Sequence, residues 1–305
     1  MEWTKKGLVF SQNGTVEWRR SSALTPQPFL IDANTIRVYA GFRDSEGISR
    51  IGYVDVDSEN PLIVKKISDK PVLDRGRDGC FDDNGVILGD VIQYGDKLRM
   101  YYVGFQLVKR AKFLAFTGLA ESIDQGETFH RVSEAPVLDR SNGSTTITAI
   151  HSILYHEGKW KAWFASGDDW QNINGVNYPK YNIWYTESNN GIDFSNEKKL
   201  CVDVEGDEYR IGRPSVYLKN NKFYMLYTKG GKAGEDYFPG LATSSDGIKW
   251  KRKDDDFGMT LSEDGFDSQH LCYPRIVEVG SNSYAFYNGN NMGSEGFGVA
   301  ELLKW

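Results

Sequence analysis

The sequence predicts an all-β chain folded as one five-bladed β-propeller of four-stranded antiparallel blades, with residues 1–305 as a single domain. Three observations predict it. A strand pattern recurs at steps of 67, 65, 57 and 58 residues. Turn chemistry punctuates it regularly, and helical periodicity is nearly absent.

The repeat is almost literal in one place: Pro71-Val72-Leu73-Asp74-Arg75 returns as Pro136-Val137-Leu138-Asp139-Arg140. The second strand of each blade is aromatic and β-branched: Thr35–Tyr39, Lys97–Tyr102, Lys159–Phe164, Lys222–Tyr227 and Ser283–Tyr287. The third is built from small residues: Ile51-Gly52-Tyr53, Gly118-Leu119-Ala120, Ile183-Trp184-Tyr185, Gly240-Leu241-Ala242 and Gly298-Val299-Ala300. Three of these run into turns of Asp-box type at Ser122–Phe129, Ser188–Phe194 and Ser244–Trp250. There an Asp or Asn side chain caps nearby amides and Gly supplies a positive φ. The last repeat stops after its third strand, so Trp3–Phe10 is predicted to supply the missing outer strand and close the ring.

The formal net charge of −6 excludes the basic field that nucleic acid requires. No apolar run reaches the roughly 20 residues of a membrane span. No signal-peptide pattern follows Met1, and the three cysteines form no C-x-x-C pair. These features predict a cytoplasmic protein with no cofactor and no cysteine- or histidine-rich metal motif, and they leave an ion at the axis open. The expected ligand is a small molecule or an oligosaccharide. Oligomeric state leaves no trace in the sequence.

In an up-and-down blade, loops alternate between two faces. One face carries tight turns such as Gly95-Asp96 and Asn220-Asn221. The other carries long polar segments: Phe42–Glu46, Arg77–Gly85, Gly167–Tyr181, Asp207–Arg213, Glu235–Tyr237, Asp267–His270 and Asn288–Asn291. Long loops on a rigid scaffold are where binding concentrates. Carboxylates, Arg, amides and aromatic rings converging on an axis suit a sugar, whose hydroxyls need polar partners and whose faces stack on rings.

Blade organisation, with the weaker motifs Arg43-Asp44 and Gly212-Arg213-Pro214-Ser215-Val216-Tyr217, resembles the propeller glycosidases of glycoside hydrolase families 43, 32, 117 and 130 along essentially the whole chain. The resemblance implies carboxylates around the axis acting as general acid and as base or nucleophile. The template is altered here. Gln27 stands where family 43 enzymes place their base, and Gly212 replaces the acid-bearing segment, leaving Glu208 as the nearest carboxylate.

Asp83, Glu208, Asp44 and Asp267 are therefore the candidate catalytic residues. Substrate-binding candidates are Arg43, Asp82, His151, Trp170, Tyr181, Arg213, Tyr237, His270, Asn288 and Asn290. Each has a structural alternative, such as an Asx-turn, a loop ion pair or ordinary packing. The expected function is that of a glycoside hydrolase-like enzyme. The alternatives are a sugar-binding propeller without catalysis and a glycoside phosphorylase or glycosyltransferase.

Overall fold

The computed structural model describes residues 1–231 and 237–305. Glu235 and Asp236, expected on the long-loop face, lie outside the described residues. The strands in chain order are β1 (Glu2–Phe10), β2 (Ser21–Asp32), β3 (Thr35–Arg43), β4 (Ser49–Asp57) and β5 (Val64–Ile67). Next come β6 (Val86–Tyr94), β7 (Lys97–Val108), β8 (Ala111–Ser122), β9 (His130–Arg131), β10 (Ile147–His156), β11 (Lys159–Ile173), β12 (Val176–Ser188) and β13 (Lys199–Val202). The last are β14 (Arg210–Lys219), β15 (Lys222–Gly230), β16 (Tyr237–Ser244), β17 (Lys251–Arg252), β18 (Cys272–Val279), β19 (Asn282–Asn288) and β20 (Phe297–Lys304). The chain is all-β, as expected. Among the described residues no helix is long and apolar enough to cross a membrane.

Antiparallel pairing joins β2-β3-β4-β5, β6-β7-β8-β9, β10-β11-β12-β13 and β14-β15-β16-β17. The remaining set is β18-β19-β20-β1, where Glu2 pairs with Lys304. Short parallel links join β8 to β10 and β12 to β14, so the sheet curls. At the far side β2 packs against β18 and β19.

The repeated residues do specific work at the joints between sets. Each Asp-box turn caps itself: Gly126, Gly191 and Gly247 donate their amides to Ser122, Ser188 and Ser244. The preceding set then grips the turn. Tyr39 on β3 donates to the Gly126 carbonyl, Tyr101 on β7 to Gly191, and Trp163 on β11 to Gly247, at 3.3, 2.7 and 2.8 Å. The third-strand glycines make room for second-strand aromatics. A Cβ at Gly118 would lie 2.2 Å from the Tyr102 ring, and one at Gly240 2.1 Å from Tyr227.

The segment Gly167–Tyr181, expected to be a loop, is instead the protruding end of the β11–β12 hairpin. It turns at Asn174 and Gly175, whose φ values of 50° and 83° suit a two-residue hairpin turn.

Candidate functional site

The first strand of every set breaks register at one tier: Leu24/Gln27, Leu88/Asp90, Ile150/Ser152, Gly212/Ser215 and Cys272/Arg275. These β-bulges re-aim the extra residues, namely Thr25, Gly89, His151, Arg213 and Tyr273 with the prolines that follow three of them. Thr25, Arg213 and Tyr273 hold φ near +54 to +59°. Such strained backbone in bulky residues is characteristic of functional sites. We call this tier the axial floor.

Just past the bulge a belt of hydrogen bonds fastens neighbouring first strands. Asp90 accepts from the Ile153 amide, Ser152 from Val216 and Tyr217 from Ile276. Arg275 donates to the carbonyls of Gly89 and His151. Burial pushes the Asp90 carboxyl upward, against the opposing pull of Arg275.

Arg213 dominates the floor. It is 8% exposed, and one terminal nitrogen meets the Leu88 carbonyl and, at 3.1 Å, Nδ1 of His151. Its Nε and Nη2 are buried with no hydrogen-bond partner among the described residues, and so is the Thr25 hydroxyl. Burial, reinforced by Arg275, pushes the guanidinium down to about 9. Burial and the same two arginines hold His151 well below its usual range, so the ring is neutral. With Nδ1 accepting from Arg213, the ring proton is assigned to Nε2.

Aromatic rings wall the floor. The Arg213 guanidinium lies 5.4 Å from the Tyr273 ring, and Tyr273 packs edge-on against Tyr237 at 5.8 Å. Arg210 lies over Tyr237 and Tyr209, at 4.2 and 4.7 Å. Tyr181 packs on Gly212, where a Cβ would come within 2.8 Å of its ring. This contact explains why no acid-bearing side chain stands at Gly212. The structure thus brings together four expected residues: His151, Arg213, Tyr181 and Tyr237. Sequence reasoning missed Thr25, Arg210, Tyr209, Tyr273, Asp90 and Arg275. The recurring residue-Pro pair at Thr25-Pro26, Arg213-Pro214 and Tyr273-Pro274 was the available signal.

The candidate carboxylates are not gathered at the floor. Asp44 accepts the amides of Glu46 and Ile48 and pairs with Arg50 at 2.6 Å. Burial pushes Asp44 up, but Arg50 and those amides outweigh it and hold the carboxyl below its usual value. Glu208 is clamped by both terminal nitrogens of Arg252 at 2.8 Å, which overcomes burial and lowers it in the same way. Asp267 is buried between Lys5 at 2.6 Å and the Tyr287 hydroxyl at 2.8 Å. Asp82 is fully buried and accepts from Arg131 and Tyr102, at 2.8 and 3.1 Å. Its neighbour Asp83 is half-buried and caps the Gly79 amide at 3.0 Å.

Two amides expected to bind substrate hold the scaffold instead. Asn288 is fully buried. It accepts from the Thr25 amide at 2.7 Å and donates to the Ala23 and Gly296 carbonyls at 2.8 and 2.7 Å. Asn290 is also buried, bonded to the Gln269 amide and the Gly265 carbonyl. His270 accepts the Asn291 amide on Nδ1. Arg43 ends β3 exposed, and Trp170 stands on the protruding hairpin opposite Pro179.

No protein-family model matches the chain. An uncharacterized protein of Mycobacterium tuberculosis, from strains CDC 1551 / Oshkosh and H37Rv, is 29% identical over 303 residues, covering 99% of both chains. Among solved structures, a thermostable family-43 glycoside hydrolase superposes with a TM-score of 0.71 at 17% identity, over 97% of this chain and 94% of its own. The fold is that of the glycoside hydrolase propellers. A glycosyl hydrolase from Bacteroides ovatus gives 0.68 at 15% identity, over 98% and 92% of the two chains. One from the family-130 mannoside phosphorylases, a group containing hydrolases of β-1,2 mannosidic linkages in Candida mannan, gives 0.68 at 14%, over 98% and 93%.

Proposed function

We propose that the strand sets form a five-bladed ring closed by the N-terminal strand, and that the ring is a carbohydrate-active, glycoside hydrolase-like protein. Its axial floor holds a sugar together with an anion. The observation that carries this reading is buried Arg213, with two nitrogens unpartnered among the described residues, beside neutral His151 and a wall of tyrosines. A guanidinium fork suits phosphate or carboxylate, and ring faces suit a pyranose. Among the described residues Asp90 is the carboxylate adjoining this tier, and no pair of acids spanning a scissile bond is built there. This favours transfer of a glycosyl group between a sugar oxygen and phosphate. Binding without turnover is the second reading, favoured by the ion pairs that occupy Asp44, Glu208 and Asp267.

The test is a panel of aryl glycosides with and without inorganic phosphate, on wild type, Arg213→Lys, Asp83→Asn and Glu208→Gln. Phosphate-dependent turnover that disappears in Arg213→Lys is expected. Turnover without phosphate, abolished by Asp83→Asn or Glu208→Gln, would replace this reading with hydrolysis by relocated carboxylates. Inertness of the wild type while a sugar still binds would leave binding alone.

A further inference from the structure

Beside the axial floor a second cleft opens between the root of the β11–β12 hairpin and the chain leading into β14. Asp168, Tyr181 and Tyr209 line it. Tyr209 is 5% exposed, yet its phenolic oxygen is buried without a hydrogen-bond partner among the described residues. Buried hydroxyls are nearly always satisfied, so an orphan at a cleft wall marks a place where a ligand completes the bond. Burial also pushes this phenol up to about 12, which keeps it a neutral donor. Across the cleft Asp168 is exposed and enters no ion pair among the described residues. Its neighbour Asp169 is paired with Lys180 at 2.9 Å.

Tyr181 links the two places. Its ring packs on Gly212 at the axial floor, its backbone pairs with Arg210, and its side chain forms part of the cleft wall. A ligand seated against Arg213 can therefore continue past Tyr181 without leaving protein surface.

We propose that this cleft is a subsite for a second, neutral sugar unit of an oligosaccharide whose first unit sits at the axial floor; the proposal rests on the carbohydrate reading above. Tyr209 donates to an acceptor oxygen of that unit, Asp168 accepts from its hydroxyls and Tyr181 packs on its face. Lys198 lies within Coulombic reach of Asp168, but the lining as a whole carries Asp168, Asp169, Asp207 and Glu208 against Lys180, so it repels a negatively charged unit. The two places therefore sort the ligand by charge, with the anionic end at Arg213 and the neutral end in the cleft.

Gluco-, manno- and galacto-configured disaccharides and the corresponding methyl monosaccharides are screened by saturation-transfer NMR, and the best pair is titrated calorimetrically. Tyr209→Phe and Asp168→Asn are each expected to weaken the disaccharide roughly tenfold, the loss of one well-made hydrogen bond. Asp168→Asn, which lies outside the axial floor, should leave affinity for the monosaccharide unchanged. Tyr209→Phe should melt no lower than wild type, because it removes an unsatisfied buried hydroxyl; a structural role would lower it. If sugars bind but both variants hold the disaccharide as wild type does, the subsite is wrong and the carbohydrate reading stands. If wild type binds none of the sugars, the carbohydrate reading falls and the subsite with it.

Discussion

Arg213→Met removes the guanidinium from the axial floor while keeping a flexible side chain of similar reach. In the folded protein burial pushes the guanidinium from its ordinary value down to about 9. At about 1.4 kcal/mol per pH unit, burying this cation costs about 4–5 kcal/mol. The variant also loses the bonds to the Leu88 carbonyl and His151, worth about 1–3 kcal/mol together. The net expectation is a protein more stable by about 1–4 kcal/mol, in line with buried charges replaced by apolar side chains. For a chain of this length that is about 2 °C of melting temperature per kcal/mol. The assay is thermal and urea unfolding in phosphate-free buffer, repeated at rising phosphate. Wild type should gain stability as the anion fills the site, and the variant should not. A variant less stable than wild type by more than about 1 kcal/mol would refute the reasoning. So would equal stabilisation of both proteins by phosphate.

Two further outcomes follow from the scaffold. Asn288→Ala strips two bonds from the seam between β19 and β2 and a third to the Gly296 carbonyl, and leaves the Thr25 amide buried and unpaired, so it should destabilise by about 2–4 kcal/mol. Hydrogen exchange should accelerate first in β1 and β2, and a loss below about 1 kcal/mol would show the seam is held elsewhere. His151 has a folded pKa well below 6.5, so the unfolded chain takes up its proton first as the solution is acidified. Its contribution is complete above pH 6.5 and is lost as pH falls toward the folded value. His151→Gln should flatten the fall of the urea midpoint between about pH 6.5 and 5, and an unaltered slope would sink this assignment.

The strands were legible because their signals are local. The aromatic second strands, glycine-rich third strands and Asp-box turns each appear within ten residues of sequence. The β11–β12 extension was missed because it stands in solvent, so its residues show no buried face to alternate with. His151 and Arg213 could be found because polar groups inside apolar first strands are conspicuous. Carboxylates could not be sorted, since Glu208 looks the same whether it faces a ligand or Arg252, 44 residues onward. Asp82 is likewise matched by Arg131, 49 residues away. Asn288 misled for the same reason, its partner Thr25 being 263 residues distant.

The aromatic grips on the Asp-box turns all point one way along the chain, from Tyr39 to Gly126, Tyr101 to Gly191 and Trp163 to Gly247. As the polypeptide emerges from the ribosome, each of these donors waits for a turn that has not yet been made. β1 waits longest, because its partner β20 is the last strand to arrive, and β2 waits nearly as long for Asn288 and β18. The nascent protein therefore carries an open apolar flank throughout its synthesis, and sealing it is one late, long-range event. Interrupted translation should yield an adhesive arc of unsealed strand sets, the form on which chaperones and proteases would act.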